Sequence, residues 1–342
     1  MTSPMVNTPL SLSILDLAVV GDGAKPADAL RETAALAESA DRWGYHRYWV
    51  AEHHSFPASA TSSPAVLLSH LGHRTSRIRL GSGGVMLTNH APLVVAEQFG
   101  VLDAFLTGRV DLGVGRASGT LPAMAQALER SPDDSPEAFS RRVSDLLGFL
   151  GRGFPADHPY AQARVFAMPP ASGVPVWMLG SGATGAQIAA SFGLPFVAAL
   201  HINAAQATAA IDQYRSTFRP SVALSKPYVM VSVTAVCADT EQAALRIARP
   251  GALGRLFLSR GDITTIPTAE AAENYDYTAD EKRFVNGSLD DAVVGSPSVV
   301  RERLEELQKR TAADELMLTA MISDFQDRSR SFELIAEEVQ LS

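Results

Sequence analysis

Apolar positions follow two alternating rhythms along this chain: short apolar or every-other-residue runs, then longer stretches with apolar residues three and four apart. Residues 10–19 predict a strand, and residues 26–43 a helix built on Leu30, Ala34, Ala37 and Ala40 and stopped by Gly44. Residues 47–51 predict a second strand, ending on Glu52, His53 and His54, after which Ser63 and Pro64 open a helix to Thr75 as cap and first residue. The rhythm repeats with a strand over 78–87, a helix over 92–106 closed by Gly108, and a strand over 110–115. A polar loop over 117–134 precedes a helix that Ser135, Pro136 and Glu137 cap and that reaches Leu150; another loop runs to Gly173. Further strands are expected over 174–179, 195–200, 228–238 and 315–321, with helices over 183–192, 204–218, 240–249, 296–310 and 328–339. Residues 250–295 show no clean period and read as an insertion with short helices.

Eight strands alternating with helices predict an α/β protein, a single (β/α)8 barrel with insertions, as one domain over residues 1–342 with an insertion at 250–295. A doubly wound open sheet is the alternative. The barrel is preferred because unusual residues recur just after strands, in the stretches 52–54, 83–90 and 180–185 and at Arg116 and His201. In a barrel all of these positions share the C-terminal mouth, where active sites are built.

Composition narrows the partners. Hydrophobic residues at 46% and charged residues at 19% of 342 describe a globular protein with a sizeable core. The net charge of −8 argues against nucleic acid and anionic membranes, which leaves small molecules as the expected partners. Cys237 is the single cysteine, so no intrachain disulfide or cysteine cluster is available, and a reducing cytoplasm suits the chain. The first ten residues lack Lys and Arg, and Ser11, Ser13 and Asp16 interrupt residues 10–20, so neither a signal peptide nor a membrane span is expected.

Candidate chemistry concentrates after the strands. Gly81, Gly83 and Gly84 would let backbone approach a flat or charged ligand closely, although a glycine-rich bulge or turn has the same composition. His53 at a strand end suits a hydrogen-bonding or general acid/base imidazole. A hydrolase metal on His53 and His54 would need further ligands, and His70, His73 and His90 give no zinc spacing, so no metal is expected. Gly180, Ser181, Gly182, Thr184 and Gly185 lie between a strand and a helix, where free N–H groups and the helix dipole favour phosphate; a tight ligand-free turn is the alternative. No Walker lysine is present, and the glycine spacing alone does not define a dinucleotide site. Arg116, between Gly115 and Ala117, is suited to a bidentate phosphate contact or to plain surface exposure.

Taken in order, Ala51-Glu52-His53-His54, the run Leu80 to Leu87, Leu102-Asp103 with Gly108-Arg109, Gly113-Val114-Gly115-Arg116 and Phe192-Gly193-Leu194-Pro195 carry a resemblance. The chain resembles the bacterial luciferase-like flavin-dependent monooxygenases, most closely the members of unassigned substrate. The likeness runs to about Leu200 and returns at Val294 to Pro297. It implies a barrel that binds reduced FMN and uses dioxygen to oxidise a small apolar organic substrate, in a homodimer fed by a separate NAD(P)H-dependent flavin reductase. It further implies a catalytic role for His53, a non-proline cis peptide at Gly83 and Gly84 under the flavin ring, and phosphate contacts from Arg116, Gly180, Ser181, Gly182, Thr184 and Gly185. Luciferases carry a Glu-Ser pair and a threonine in that phosphate loop, so backbone N–H contacts are implied here more than hydroxyl ones. His90 and His201 are the candidate substrate-pocket residues, and light emission is not expected. A deazaflavin-dependent hydride-transfer enzyme and a noncatalytic flavin-binding protein are the alternatives.

Overall fold

A computed structural model describes residues 10–116, 122–130, 133, 135–171 and 173–341. Eight parallel strands close on themselves: β1 (Leu12–Asp16), β2 (Arg47–Val50), β3 (Arg79–Met86), β4 (Val110–Gly115), β5 (Val176–Gly180), β6 (Phe196–Ala199), β7 (Val229–Cys237) and, past a short β8 (Val293–Gly295), β9 (Glu315–Thr319). Each of β1 to β6 pairs with the next, β6 pairs with β7, β7 with β9 and β9 with β1, so the ring has no free edge. The fold is a single (β/α)8 barrel and not an open sheet.

Local chemistry sets the element ends. Prolines at the first turn start the helices Pro26–Trp43, Pro64–Arg74, Pro92–Phe105, Pro136–Leu147 and Pro297–Thr311, where the missing N–H costs nothing. Gly44 and Gly193 end helices at positive φ, 85° and 61°, which glycine adopts without penalty. β1 is shorter than expected because Ala18 turns to φ 45° and its N–H donates to Asp16 Oδ1 at 3.0 Å, ending the ladder.

The largest departure lies after β7. The helix expected to stop at Arg249 instead runs from Glu241 to Ser259 with Pro250 inside it, so burial of the helix outweighs the lost backbone bond. Helices Ala269–Asn274 and Ala279–Asp290 follow, and β8 then pairs in parallel with the end of β7, an element the sequence did not signal. Ile266 bridges to Gly21 beyond β1, and Arg255 reaches the carbonyl of His201 beyond β6. Residues 241–266 therefore cross the C-terminal rim. The polar loop expected over 117–134 falls in good part outside the described residues, which place the helix Pro122–Ala127 in it.

Inside the ring, Leu15, Trp49, Trp177, Val197, Met230 and Met317 form a core separate from the main helix–sheet core. Trp49 and Trp177 meet edge to face, with centroids 5.4 Å apart. The Trp49 ring and its neighbours explain much of the glycine run. A Cβ on Gly81 would stand 2.5 Å from the Trp49 indole nitrogen, one on Gly83 2.4 Å from Leu15 Cδ1, and one on Gly113 2.1 Å from the Ser82 carbonyl oxygen. Only glycine leaves room beside Trp49, Leu15 and the neighbouring strand backbone.

The N-terminal end is closed by charge. Asp111 accepts from Arg47 Nη1 at 2.7 Å, from Arg79 Nη2 at 2.6 Å and from the Trp49 indole at 3.2 Å. Glu315 accepts from Arg47 Nε at 3.1 Å, from Tyr228 at 3.1 Å and from Ser13, and the Arg47 guanidinium lies 4.7 Å from the Trp177 ring. Every charge in this layer has an opposite partner.

Candidate active site

The C-terminal mouth collects the side chains singled out in the sequence, each on a loop leaving a different strand. His53, three residues past β2, is fixed through its backbone N–H, which donates to the Thr61 carbonyl at 2.7 Å. Its Nδ1 lies 3.3 Å from Ser59 Oγ, whose own proton is committed to the Leu17 carbonyl at 2.5 Å. Ser59 can then only accept, so the network assigns the proton to Nδ1 and leaves the Nε2 lone pair free. Burial pushes the His53 imidazole down to about 4, with Glu52 partly opposing and His54 adding to the shift. At neutral pH it is an uncharged proton acceptor.

Glu52 is 1% exposed and accepts three hydrogen bonds. His54 Nε2 and His90 Nε2 both lie 2.8 Å from its Oε1, and the Met86 N–H lies 3.0 Å from its Oε2. Burial raises its carboxyl, but these donors, His90 foremost, bring it below the usual carboxylate range. The carboxylate ties the exit of β2 to the end of β3 and the loop behind it. Two imidazole nitrogens and one carboxylate oxygen thus lie within 4.8 Å of one another, a juxtaposition hidden by the wide spacing of His54 and His90 in sequence. Hydrogen bonding accounts for this cluster, and His53 stands outside it.

The Gly83–Gly84 peptide is cis, at an irregularity in the β3–β4 register between Ser82 and Val85. A Cβ on Gly84 would stand 2.8 Å from the Gly113 carbonyl oxygen, so β4 backbone closes that side. Arg116 lies two residues past Val114, as Gly180 lies two past Met178, and Val114 pairs with Met178. The register therefore sets Arg116 beside Gly180. Arg116 is half-buried and has no ion-pair or hydrogen-bond partner among the described residues. Gly182 is the N-cap of the helix Ala183–Phe192 and supplies no side-chain cap, which leaves the first N–H groups open. The Ser181 and Thr184 hydroxyls are likewise unengaged among the described residues, and Gly180 and Gly185 pack against each other, with a Cβ on either within 3.5 Å of the other's Cα.

His201 follows β6. Its Nδ1 lies 2.9 Å from Ser232 Oγ on β7, and its carbonyl accepts from Arg255 Nη1 at 3.1 Å. Burial pushes it too down to about 4, opposed by the contact to Ser232 and helped by the charges of Arg255 and His53. At neutral pH the mouth thus holds two uncharged imidazoles, His53 past β2 and His201 past β6. Ser59, which orients His53, and Arg255, inside the stretch that showed no period, were not singled out in the sequence. Neither carries a local signal.

Comparison with known proteins identifies the family that shares this barrel. The chain belongs to the luciferase-like monooxygenase family, whose description matches residues 10–314, and is an enzyme of the monooxygenase class. It is 37% identical to a luciferase-like monooxygenase of Escherichia coli K12 over 332 residues, 96% of this chain and 97% of that one. It is 32% identical to N-acetyl-S-alkylcysteine monooxygenase of Bacillus subtilis over 333 residues, 96% of this chain and 98% of that one. Among solved structures, apo-MsnO8 is similar at 34% identity and a TM-score of 0.85, covering 98% of this chain and 99% of that one. More distant chains share the fold alone. One is the oxygenating constituent of 3,6-diketocamphane monooxygenase from Pseudomonas putida in complex with FMN (18%, TM-score 0.69, 97% of this chain and 98% of that one). Another is the coenzyme F420 dependent tetrahydromethanopterin reductase from Methanopyrus kandleri (16%, TM-score 0.65, 97% and 99%). Among the described residues no helix is long and apolar enough to cross a membrane.

Proposed function

We propose that this enzyme binds reduced FMN at the barrel mouth and uses dioxygen to oxidise a small, largely apolar organic molecule. The observation that carries the reading is the unpartnered Arg116 beside the uncapped helix N-terminus at 183–192, on adjacent strands. A guanidinium and open N–H groups converging on one rim suit a phosphate monoester. The cofactor, when bound, supplies the electrons and the activation of dioxygen.

The chain's own contribution is placement and proton handling. Gly180, Ser181, Gly182, Thr184 and Gly185 with Arg116 hold the phosphate, and Gly83 and Gly84 line the floor for the ring. His53, with Nε2 unprotonated, accepts a proton from the reacting partner, and Ser59 keeps that tautomer in place. Residues 241–266, crossing the rim, help exclude water. His90 and His201 border the substrate space. The reduced cofactor comes from a separate NAD(P)H-dependent flavin reductase, and the working form is a cytoplasmic homodimer.

Anaerobic titration of the full chain with reduced FMN and with reduced deazaflavin, followed by admission of air, tests this. The expected result is tight FMN binding and reoxidation kinetics distinct from those of free FMN. Preference for the deazaflavin without oxygen consumption would move the enzyme to hydride transfer. Binding of neither would remove the cofactor assignment.

A further inference from the structure

Behind the helix Glu241–Ser259 lies a cavity of about 40 Å³, bordered by Thr234 near the end of β7, Arg255, Ser288, Leu289 and Met321. Such a space holds a small polar head group and not a whole substrate. Its wall is mostly apolar, yet three residues with hydrogen-bonding side chains, Thr234, Arg255 and Ser288, belong to it. Arg255 has no carboxylate partner among the described residues, and its one recorded bond goes to the His201 carbonyl. The Thr234 and Ser288 hydroxyls have no side-chain bond among them either. The two buried arginines, Arg47 and Arg328, each pair with a carboxylate, whereas Arg255, like Arg116, is half-buried and meets no acid among the described residues.

A second observation points the same way. Thr319 on β9 pairs in register with Thr234 and shares the barrel-facing side with Met317. It is 3% exposed, and its hydroxyl is buried with no partner. Unmet buried hydroxyls are rare in folded proteins and call for a ligand or water. Two threonines at one rung, a serine and an arginine thus form a polar corner next to His201.

We propose that this corner is an anion subsite of the substrate pocket: Arg255, with Thr234 and Ser288, holds a carboxylate or sulfonate on an otherwise apolar substrate whose reactive part lies toward His53 and His201. The proposal rests on the monooxygenase reading of the mouth and adds the substrate's chemical class. The same chemistry would suit the cofactor's phosphate, so the test separates the two sources.

Calorimetric titration of the full chain, with and without saturating FMN, compares hexanoate with hexanamide. In the wild type hexanoate binds about 10-fold or more tightly, the worth of a charge-assisted hydrogen bond. Arg255→Gln abolishes that preference and leaves FMN affinity unchanged, Arg255→Lys keeps most of it, and Thr234→Val lowers it several-fold should the glutamine variant not fold. Equal affinity for the two probes in the wild type, or binding of neither, overturns the proposal. So does an Arg255→Gln variant that keeps the preference but loses affinity for FMN and not for riboflavin, which would assign Arg255 to the cofactor phosphate. A chain that prefers hexanoate yet binds no flavin would instead sink the monooxygenase reading and leave the anion site standing.

Discussion

The two ends of the barrel use the same kinds of side chain to opposite effect. At the N-terminal end Arg47, Asp111 and Glu315 are buried together and paired with one another and with the half-buried Arg79, and the Tyr228, Trp49 and Ser13 donors are absorbed by the same two carboxylates. At the C-terminal end Arg116 has no acid, the Thr319 hydroxyl is unmet, and His53 and His201 are held neutral by burial. A closed network has nothing left to offer a ligand. An open one gives up stability for the capacity to bind, the division expected between the two faces of such barrels.

Four measurements sharpen or break that contrast. The largest effect is expected at the mouth, where His53→Ala lowers turnover about 10²- to 10⁴-fold while the urea midpoint stays put; unchanged turnover would strip His53 of its role. Next comes the base: Asp111→Ala leaves two guanidinium groups facing each other and costs about 3–5 kcal/mol in urea unfolding, with flavin affinity unchanged. A loss below about 1 kcal/mol would mean that solvent reaches this layer and that it is no sealed plug. Smaller still is Arg116→Ala, which should weaken FMN about 10- to 100-fold and riboflavin not at all, read by fluorescence titration. Equal weakening of both ligands would place Arg116 away from the phosphate.

The smallest effect is a pH slope. His53 and His201 take up protons near 6.5 when unfolded but only near 4 when folded. As pH falls from 6.5 to 4 the unfolded chain gains protons that the folded chain refuses, so stability declines across that window and these two groups add no further loss below it. A His53→Gln, His201→Gln double variant should show a flatter stability profile between pH 6.5 and 4.5. An identical slope would show that the imidazoles are solvated.

Much of the barrel was legible because its signals are local. Period changes, first-turn prolines and closing glycines mark the elements, and His53, Arg116 and the run 180–185 stood out for falling just after strands. What stayed hidden depends on distant pairing. The Glu52 carboxylate joins His54 to His90 across two strands, and Arg47, Asp111 and Glu315 look in sequence like ordinary charges near strand starts. Gly81 and Gly83 suggested a ligand, yet much of their purpose is to make room for Trp49 and its neighbours. Pro250 marked a helix end that tertiary packing overrode, and Arg255 became visible only when that helix was seen to cross the rim.

Trp49 and Trp177 stand edge to face in the barrel core, while the third tryptophan, Trp43, ends the helix Pro26–Trp43 on the outside. Two of the chain's three indoles are therefore sealed lamps beneath the opening. Any occupant whose absorption overlaps their emission will dim them as it settles on the rim, so the enzyme carries its own optical gauge of occupancy and needs no attached dye.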